Sequence, residues 1–146
     1  MIYLATDHAG FELKEMLKQY LLELNYEVKD FGAFELDIDD DYPDFIRLAA
    51  EAVSKNPKDK AVILGGSGQG EAIVANRYKG VRAVVYYGGS SKVLTLSRVH
   101  NDSNVLSLGA RFLTEAKAKR AVKIWLETEF QNEERHMRRI KKIDEI

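Results

Sequence analysis

The sequence predicts an α/β fold of three layers, αβα, around a five-stranded parallel doubly wound sheet, and three observations lead there. Five short apolar runs of strand character alternate with helical segments along the chain. The segments between strands are long enough to cross back over a sheet, which makes neighbouring strands parallel and covers both faces. Polar, glycine-bearing loops close the first and third strands, as expected where a parallel sheet presents its carboxyl ends to a ligand.

The elements follow in order. Residues 2–5, Ile-Tyr-Leu-Ala, form a first strand that stops at Thr6-Asp7-His8-Ala9-Gly10. Over 11–24, Phe11, Leu13, Met16, Leu17, Tyr20, Leu21 and Leu24 recur at helical spacing, the mark of an amphipathic helix. Residues 26–31 are a second strand, and 35–41 an acidic run read as a solvated loop, since its spacing is wrong for an EF-hand. Pro43 suits the first turn of a helix over 44–54. A third strand over 61–64 meets a glycine loop, followed by a helix ending near 78–80. Residues 81–87 are a fourth strand, and Gly88-Gly89-Ser90-Ser91 opens a helix through about Val99, leading to His100-Asn101-Asp102. Residues 104–108 are a fifth strand, 114–128 a long helix, and 133–143 an extra, heavily charged C-terminal helix. Right-handed crossovers leave few topologies, and the expected one is flavodoxin-like (Rossmann-like), of order 2-1-3-4-5.

Composition bounds the function. A chain of 146 residues, 45% hydrophobic and 31% charged, reads as one domain, 1–146. A formal net charge of −1 offers nothing to nucleic acid or an acidic membrane, so neither is expected as a partner. No run approaches the roughly 18 apolar residues of a membrane span, and a strand begins at once without a signal peptide. Without cysteine there is no disulfide, thiolate metal site or cysteine nucleophile, and a cytoplasmic location is expected.

The chemistry centres on residues 62–76, VILGGSGQGEAIVAN, where Gly65, Gly66, Gly68 and Gly70 enclose Ser67 and Gln69 and Glu71 follows. Such glycines permit tight turns and close approach of a ligand, and the helix start offers free N–H groups to an anion. A carboxylate in a first helical turn can also be a mere dipole partner. In the expected sheet the loops after strands one and three meet at the topological switch point, bringing Asp7, His8, Ser67 and Glu71 together. Gly65-Gly66-Ser67-Gly68-Gln69 is not G-x-S-x-G, so Ser67 is no hydrolase nucleophile, and Glu71 stands where a Walker A loop has lysine. Arg135 and Arg139, four apart, share a helix face that could grip one phosphate, although charge alone reads as a solvated helix. Arg111 and the pair His100-Asn101 carry similar double readings. Three histidines without His-Glu-x-x-His give no metal site, and no cofactor is expected. The polar set suits proton transfer on a small phosphorylated molecule.

Several motifs together resemble the type B ribose-5-phosphate isomerases and their galactose-6-phosphate and allose-6-phosphate isomerase relatives. They are Thr6-Asp7-His8-Ala9-Gly10-Phe11, Asp41-Tyr42-Pro43, residues 65–71 with Ala75-Asn76-Arg77, residues 98–101, and Arg135-His136-Met137-Arg138-Arg139, in order over nearly the whole chain. In one branch of that family a cysteine base stands at the position of Gly65. The other branch has glycine there and a glutamate base at the position of Glu71, the pattern of this chain. The resemblance implies aldose–ketose isomerisation of ribose 5-phosphate and ribulose 5-phosphate through an enediolate, in the pentose phosphate pathway and without cofactor. It implies Glu71 as the base, Gly66, Gly68, Gly70, Ser67 and Asn101 as donors to the oxyanion, His100 for ring opening and Asp7 at substrate hydroxyls. Tyr42 is a further substrate contact, and Arg111, Arg135 and Arg139 with His8 hold the phosphate. It also implies a homodimer, or a dimer of dimers, in which His100, Asn101 and Arg111 reach the site from the partner subunit. The alternatives are the same reaction on a six-carbon 6-phosphate (allose or galactose 6-phosphate), or a flavodoxin-like module that binds a phosphosugar without turnover.

Overall fold

A computed structural model describes residues 1–146. The strands are β1 (Ile2–Thr6), β2 (Val28–Asp30), β3 (Lys60–Gly65), β4 (Ala83–Tyr86) and β5 (Val105–Gly109). The helices are α1 (Phe11–Glu23), α2 (Tyr42–Lys55), α3 (Gln69–Ala75), α4 (Lys92–Asn101), α5 (Glu115–Glu127) and α6 (Glu134–Asp144). Short 3-10 turns at His8–Gly10 and Ala110–Phe112 follow β1 and β5.

All five strands pair in parallel in one sheet. Its order is β2-β1-β3-β5-β4, so the last two strands of the expected 2-1-3-4-5 order are exchanged. Burial gives the reason. Every residue of β5 is buried, whereas Ala83, Val84 and Val85 of β4 are only half-buried, as suits an edge. The loop after β3 also lies across β5. Ser107 Oγ donates to Gly68 O at 2.6 Å, and a Cβ at Gly109 would come within 2.8 Å of Ser67 O. Small residues at 107 and 109 therefore let β5, and not β4, sit beside β3.

Side chains alternate across the sheet with the two-residue period of a strand. Ile2, Leu4, Val62, Leu64, Leu106 and Leu108 face a layer with Leu17 and Leu21 of α1, Leu94 of α4 and Ala121, Val122 and Trp125 of α5. Tyr3, Ala5, Ala61, Ile63 and Val105 face Ile46, Ala49, Ala50 and Val53 of α2 and Ala75 of α3. The three-layer prediction holds, with α6 added against α4. No helix is long and apolar enough to cross a membrane.

Element ends differ from expectation where local chemistry competes. Helix α2 starts at Tyr42, with Pro43 in its first turn. Helix α3 stops at Ala75, short of 78–80, and the side chain of Asn76 at its C-cap exchanges two hydrogen bonds with the backbone of Ala83. Helix α4 runs through His100 and Asn101 before ending at Asp102, which is left-handed (φ 43°). One buried charge underlies the β1–β2 edge. Lys14 Nζ is fully buried, donating to both Asp30 carboxylate oxygens (2.9 and 2.8 Å) and to Ala33 O (2.7 Å).

Candidate active site

At the carboxyl ends of β1, β3 and β5 lies a pocket of about 560 Å³. It is lined by Asp7, His8, Ala9, Tyr42, Gly66, Ser67, Gly70, Glu71, Arg111 and Phe112. It is not the largest concavity, for one of about 590 Å³ lies against the C-terminal residues, but it holds the convergent titratable groups.

Glu71 is built in from two sides. Gly68 caps α3 in the left-handed conformation (φ 78°), where a Cβ would be strained, and this turn places Glu71 in the first helical turn. Its residue is only 4% exposed, an uncommon state for glutamate. The carboxylate occupies the space beside Gly65 at the end of β3. A Cβ on Gly65 would lie 1.8 Å from Glu71 Oε1 and 2.0 Å from Cδ, so glycine at 65 and this placement of Glu71 require one another. Burial pushes the Glu71 pKa above the ordinary 4.5 and the nearby Asp7 charge adds to this, against a lowering contribution from its own backbone N–H. A carboxylate whose pKa is raised is a better proton acceptor than a free one.

Asp7, also buried, caps the first 3-10 turn by accepting from Ala9 N–H at 3.0 Å. This fixes the direction in which the chain leaves β1 and puts His8 on the rim. His8 Nδ1 lies 2.6 Å from Asp40 Oδ1, and the His8 backbone N–H donates to the same oxygen at 3.1 Å. The His8 pKa is raised chiefly by this hydrogen bond, with the Asp7 and Asp40 charges adding and burial and Arg111 opposing.

Arg111 follows β5 in the second 3-10 turn. Its backbone N–H donates to Gly66 O at 3.1 Å, and its guanidinium lies over Gly66, 3.2 Å from where a Cβ would be. The Tyr42 hydroxyl is held against Gly70, 2.6 Å from the corresponding point. An arginine, a histidine, two buried carboxylates and a phenol thus frame one pocket. Asp7, His8 and Asp40 also bring potential metal-ligating atoms within 4.8 Å of one another. Two of these, His8 Nδ1 and Asp40 Oδ1, are already joined to each other by a 2.6 Å hydrogen bond.

The structure brings together eight of the sequence-predicted residues, Asp7, His8, Tyr42, Gly66, Ser67, Gly70, Glu71 and Arg111. Gly68 is buried beneath them against β5. Arg111 corrects an expectation: it lines the pocket of its own chain, because β5 neighbours β3, and needs no partner to deliver it. His100, Asn101, Arg135 and Arg139 lie elsewhere. Helix α4 runs antiparallel to the strands, so its His100 end sits by the amino ends of β4 and β5, where Asn101 O accepts from Arg82 Nε at 2.9 Å. The His100 ring stacks on that of buried His136 of α6, centroids 4.4 Å apart. A strand's length, roughly 15 Å at about 3.3 Å per residue, separates this cluster from the pocket. The residue that sequence reasoning missed is Asp40, taken there as part of a solvated acidic loop. It is one acid in a run of acids, and only its place just before Tyr42-Pro43 marks it.

The Ribose/Galactose Isomerase family model matches residues 2–143. The chain belongs to that family. Ribose-5-phosphate isomerase B of Mycolicibacterium paratuberculosis is 39% identical over 139 residues, 95% of this chain and 86% of that one. The probable ribose-5-phosphate isomerase B of Mycoplasma genitalium is 39% identical over 143 residues, 97% and 92% of the two chains. Among solved structures, that of Mycoplasma genitalium ribose-5-phosphate isomerase B with bound ribulose 5-phosphate matches with TM-score 0.94 at 38% identity, covering 99% of this chain and 93% of that one. The Thermotoga maritima ribose 5-phosphate isomerase matches with TM-score 0.91 at 40% identity, covering 99% and 97%. Membership of this isomerase family makes the chain an enzyme and agrees with a pocket built around a buried carboxylate rather than around a nucleophilic serine.

Proposed function

We propose that this enzyme interconverts ribose 5-phosphate and ribulose 5-phosphate, with Glu71 as the base. The observation that carries the reading is the Glu71 carboxylate, buried and seated against Gly65 in the same pocket as His8 and Arg111. In the open-chain aldose Glu71 removes the proton on C2, the C1 carbonyl oxygen takes up the charge, and a cis-enediolate forms. The same carboxyl returns its proton to C1, while the O2 hydroxyl proton passes to O1. Atoms and charge balance without an oxidant or a metal ion.

Backbone N–H groups of the loop from Gly66 to Gly70 and the Ser67 hydroxyl are the donors that meet the developing oxyanion, each such donor being worth about 3 kcal/mol in comparable sites. His8 and Arg111 receive the phosphate at the rim, and Tyr42 and Asp7 meet substrate hydroxyls. His100, Asn101, Arg135 and Arg139 act from a second copy of the chain. None of the four lines its own chain's pocket, His100 stacks on His136 of the helix that carries Arg135 and Arg139, and a two-fold axis would carry such a cluster onto the neighbour's site twice. In this arrangement His100 opens the furanose ring, and Arg135 and Arg139 complete the phosphate clamp.

The test is conversion of ribose 5-phosphate followed by NMR, with EDTA present throughout. Turnover that persists in chelator is expected, and activity that appears only when a divalent ion is restored would refute the metal-free route. Running allose 6-phosphate and galactose 6-phosphate in competition sets the sugar length.

A further inference from the structure

His8 is the pocket's only histidine, and its environment singles out Asp40. The Asp40 side chain is 8% exposed, its Oδ2 is buried without a hydrogen-bond partner, and no lysine or arginine pairs with it. A buried carboxylate with one oxygen idle depends on the charge beside it. The group beside it is the His8 ring, 2.6 Å away. Ionised carboxylate oxygens only accept, so the proton sits on Nδ1 and leaves Nε2 as the ring nitrogen free to meet a ligand. The second bond, from the His8 backbone N–H to the same oxygen, ties the loop before α2 to the loop after β1. The charged groups facing the ring are Asp40 from the loop before α2, Asp7 from its own loop at 4.0 Å, and Arg111 from the turn after β5. Two anions therefore oppose one cation around it.

We propose that Asp40 is a positioning residue for the anion-binding end of the pocket, fixing His8 through Nδ1 and holding it as an imidazolium that offers Nε2–H to a phosphate beside Arg111. The raised pKa of His8 has the same cause in first place. The biological meaning rests on the phosphosugar reading above, but the device itself needs only an anion.

The test uses the full-length protein with labelled histidine, inorganic phosphate as the probe, and Asp40→Asn, which keeps the shape and an acceptor but removes the charge. There are three histidines, and His8→Gln identifies the His8 signal. His8 in the unaltered protein should titrate above the ordinary 6.5, and Asp40→Asn should lower its midpoint by about one unit. Phosphate affinity should fall about five- to tenfold in Asp40→Asn near pH 7.5 and be nearly equal in the two proteins near pH 5.5, where both rings are protonated. Asp40→Glu should restore part of the loss. An affinity loss equal at both pH values, the signature of mere structural damage, overturns the proposal, as does an unmoved His8 midpoint. If Asp40→Asn fails to fold, a His8 midpoint at or below 6.5 in the unaltered protein overturns it alone. Converging phosphate affinities with no turnover of ribose 5-phosphate would support the role of Asp40 while refuting the isomerase reading.

Discussion

Gly65→Ala tests the geometry of the base most directly. The added methyl carbon would sit 1.8 Å from Glu71 Oε1, 2.0 Å from Cδ and 2.6 Å from Oε2, where real contacts do not fall below 3.0 Å. The backbone of β3 is locked between β1 and β5, so the carboxylate is what moves, and Oε1 must retreat by more than about 1 Å. Being the end of a flexible side chain, it can do so cheaply, and thermal stability should change by less than about 1 kcal/mol. Chemistry should suffer far more, because misplacing a catalytic group by about 1 Å costs on the order of 100-fold in rate. The assay is steady-state isomerisation of ribose 5-phosphate, with inorganic phosphate inhibition as a control on the rim. We expect kcat to fall about 100-fold, with phosphate inhibition within about twofold of the unaltered protein. A variant that keeps more than a tenth of the unaltered kcat would refute the claim that Gly65 exists to seat the base.

Glu71→Gln should remove turnover almost wholly while substrate affinity stays within a few fold, since the amide keeps the shape and cannot take a proton; kcat above a tenth of normal would exclude Glu71 as base. In the unaltered enzyme the acid limb of kcat should fall above pH 4.5, because burial raises the Glu71 pKa and the ionised form is the active one, and a limb at or below 4.5 would contradict this. Mixing Glu71→Gln with His100→Ala under verified subunit exchange should restore about a quarter of full activity, half the dimers being mixed with one sound site of two; no recovery would place His100 outside a shared site. Lys14→Ala should cost about 3 kcal/mol near neutral pH by leaving Asp30 with weaker partners. Burial raises the Asp30 pKa, but the hydrogen bonds from Lys14, Gly32 N–H and Lys18 outweigh it and the net shift is downward. This stabilisation is therefore present above the unfolded carboxylate pKa and lost as pH falls through the folded value, so denaturation curves of the two proteins should draw together in acid.

What the sequence made legible was local. Helix α1 shows its Leu17–Leu21 face by spacing alone, and the glycine run from 65 to 70 with Glu71 marks the carboxyl end of β3 without a partner element. Non-local choices were hidden. Val84-Val85 of β4 and Val105-Leu106 of β5 are equally apolar, so nothing in either run says which strand lies centrally. The deciding residues, Ser107 and Gly109, act through a loop that folds across them from about 40 positions earlier, and periodicity cannot report such a contact. The assignment of Arg111 to a partner subunit failed for the same reason, since its location depends on β5 lying next to β3. Asp40 was invisible because its contacts are two hydrogen bonds to His8 across 32 positions, and its neighbours have the same charge.

The shared volume between Gly65 and Glu71 also limits how a lineage could exchange one base for the other. A cysteine at 65, which the resemblance noted above assigns to another branch, would carry a Cβ into the space now filled by the carboxylate. The two substitutions are therefore not independent steps: each alone, made in the background of the other branch, either crowds the seat or empties it. If Glu71 is the base, a side chain gained at 65 first displaces the carboxylate, and loss of the glutamate first leaves the seat empty. Positions 65 and 71 therefore draw on one volume, and a change at either is felt first at the other.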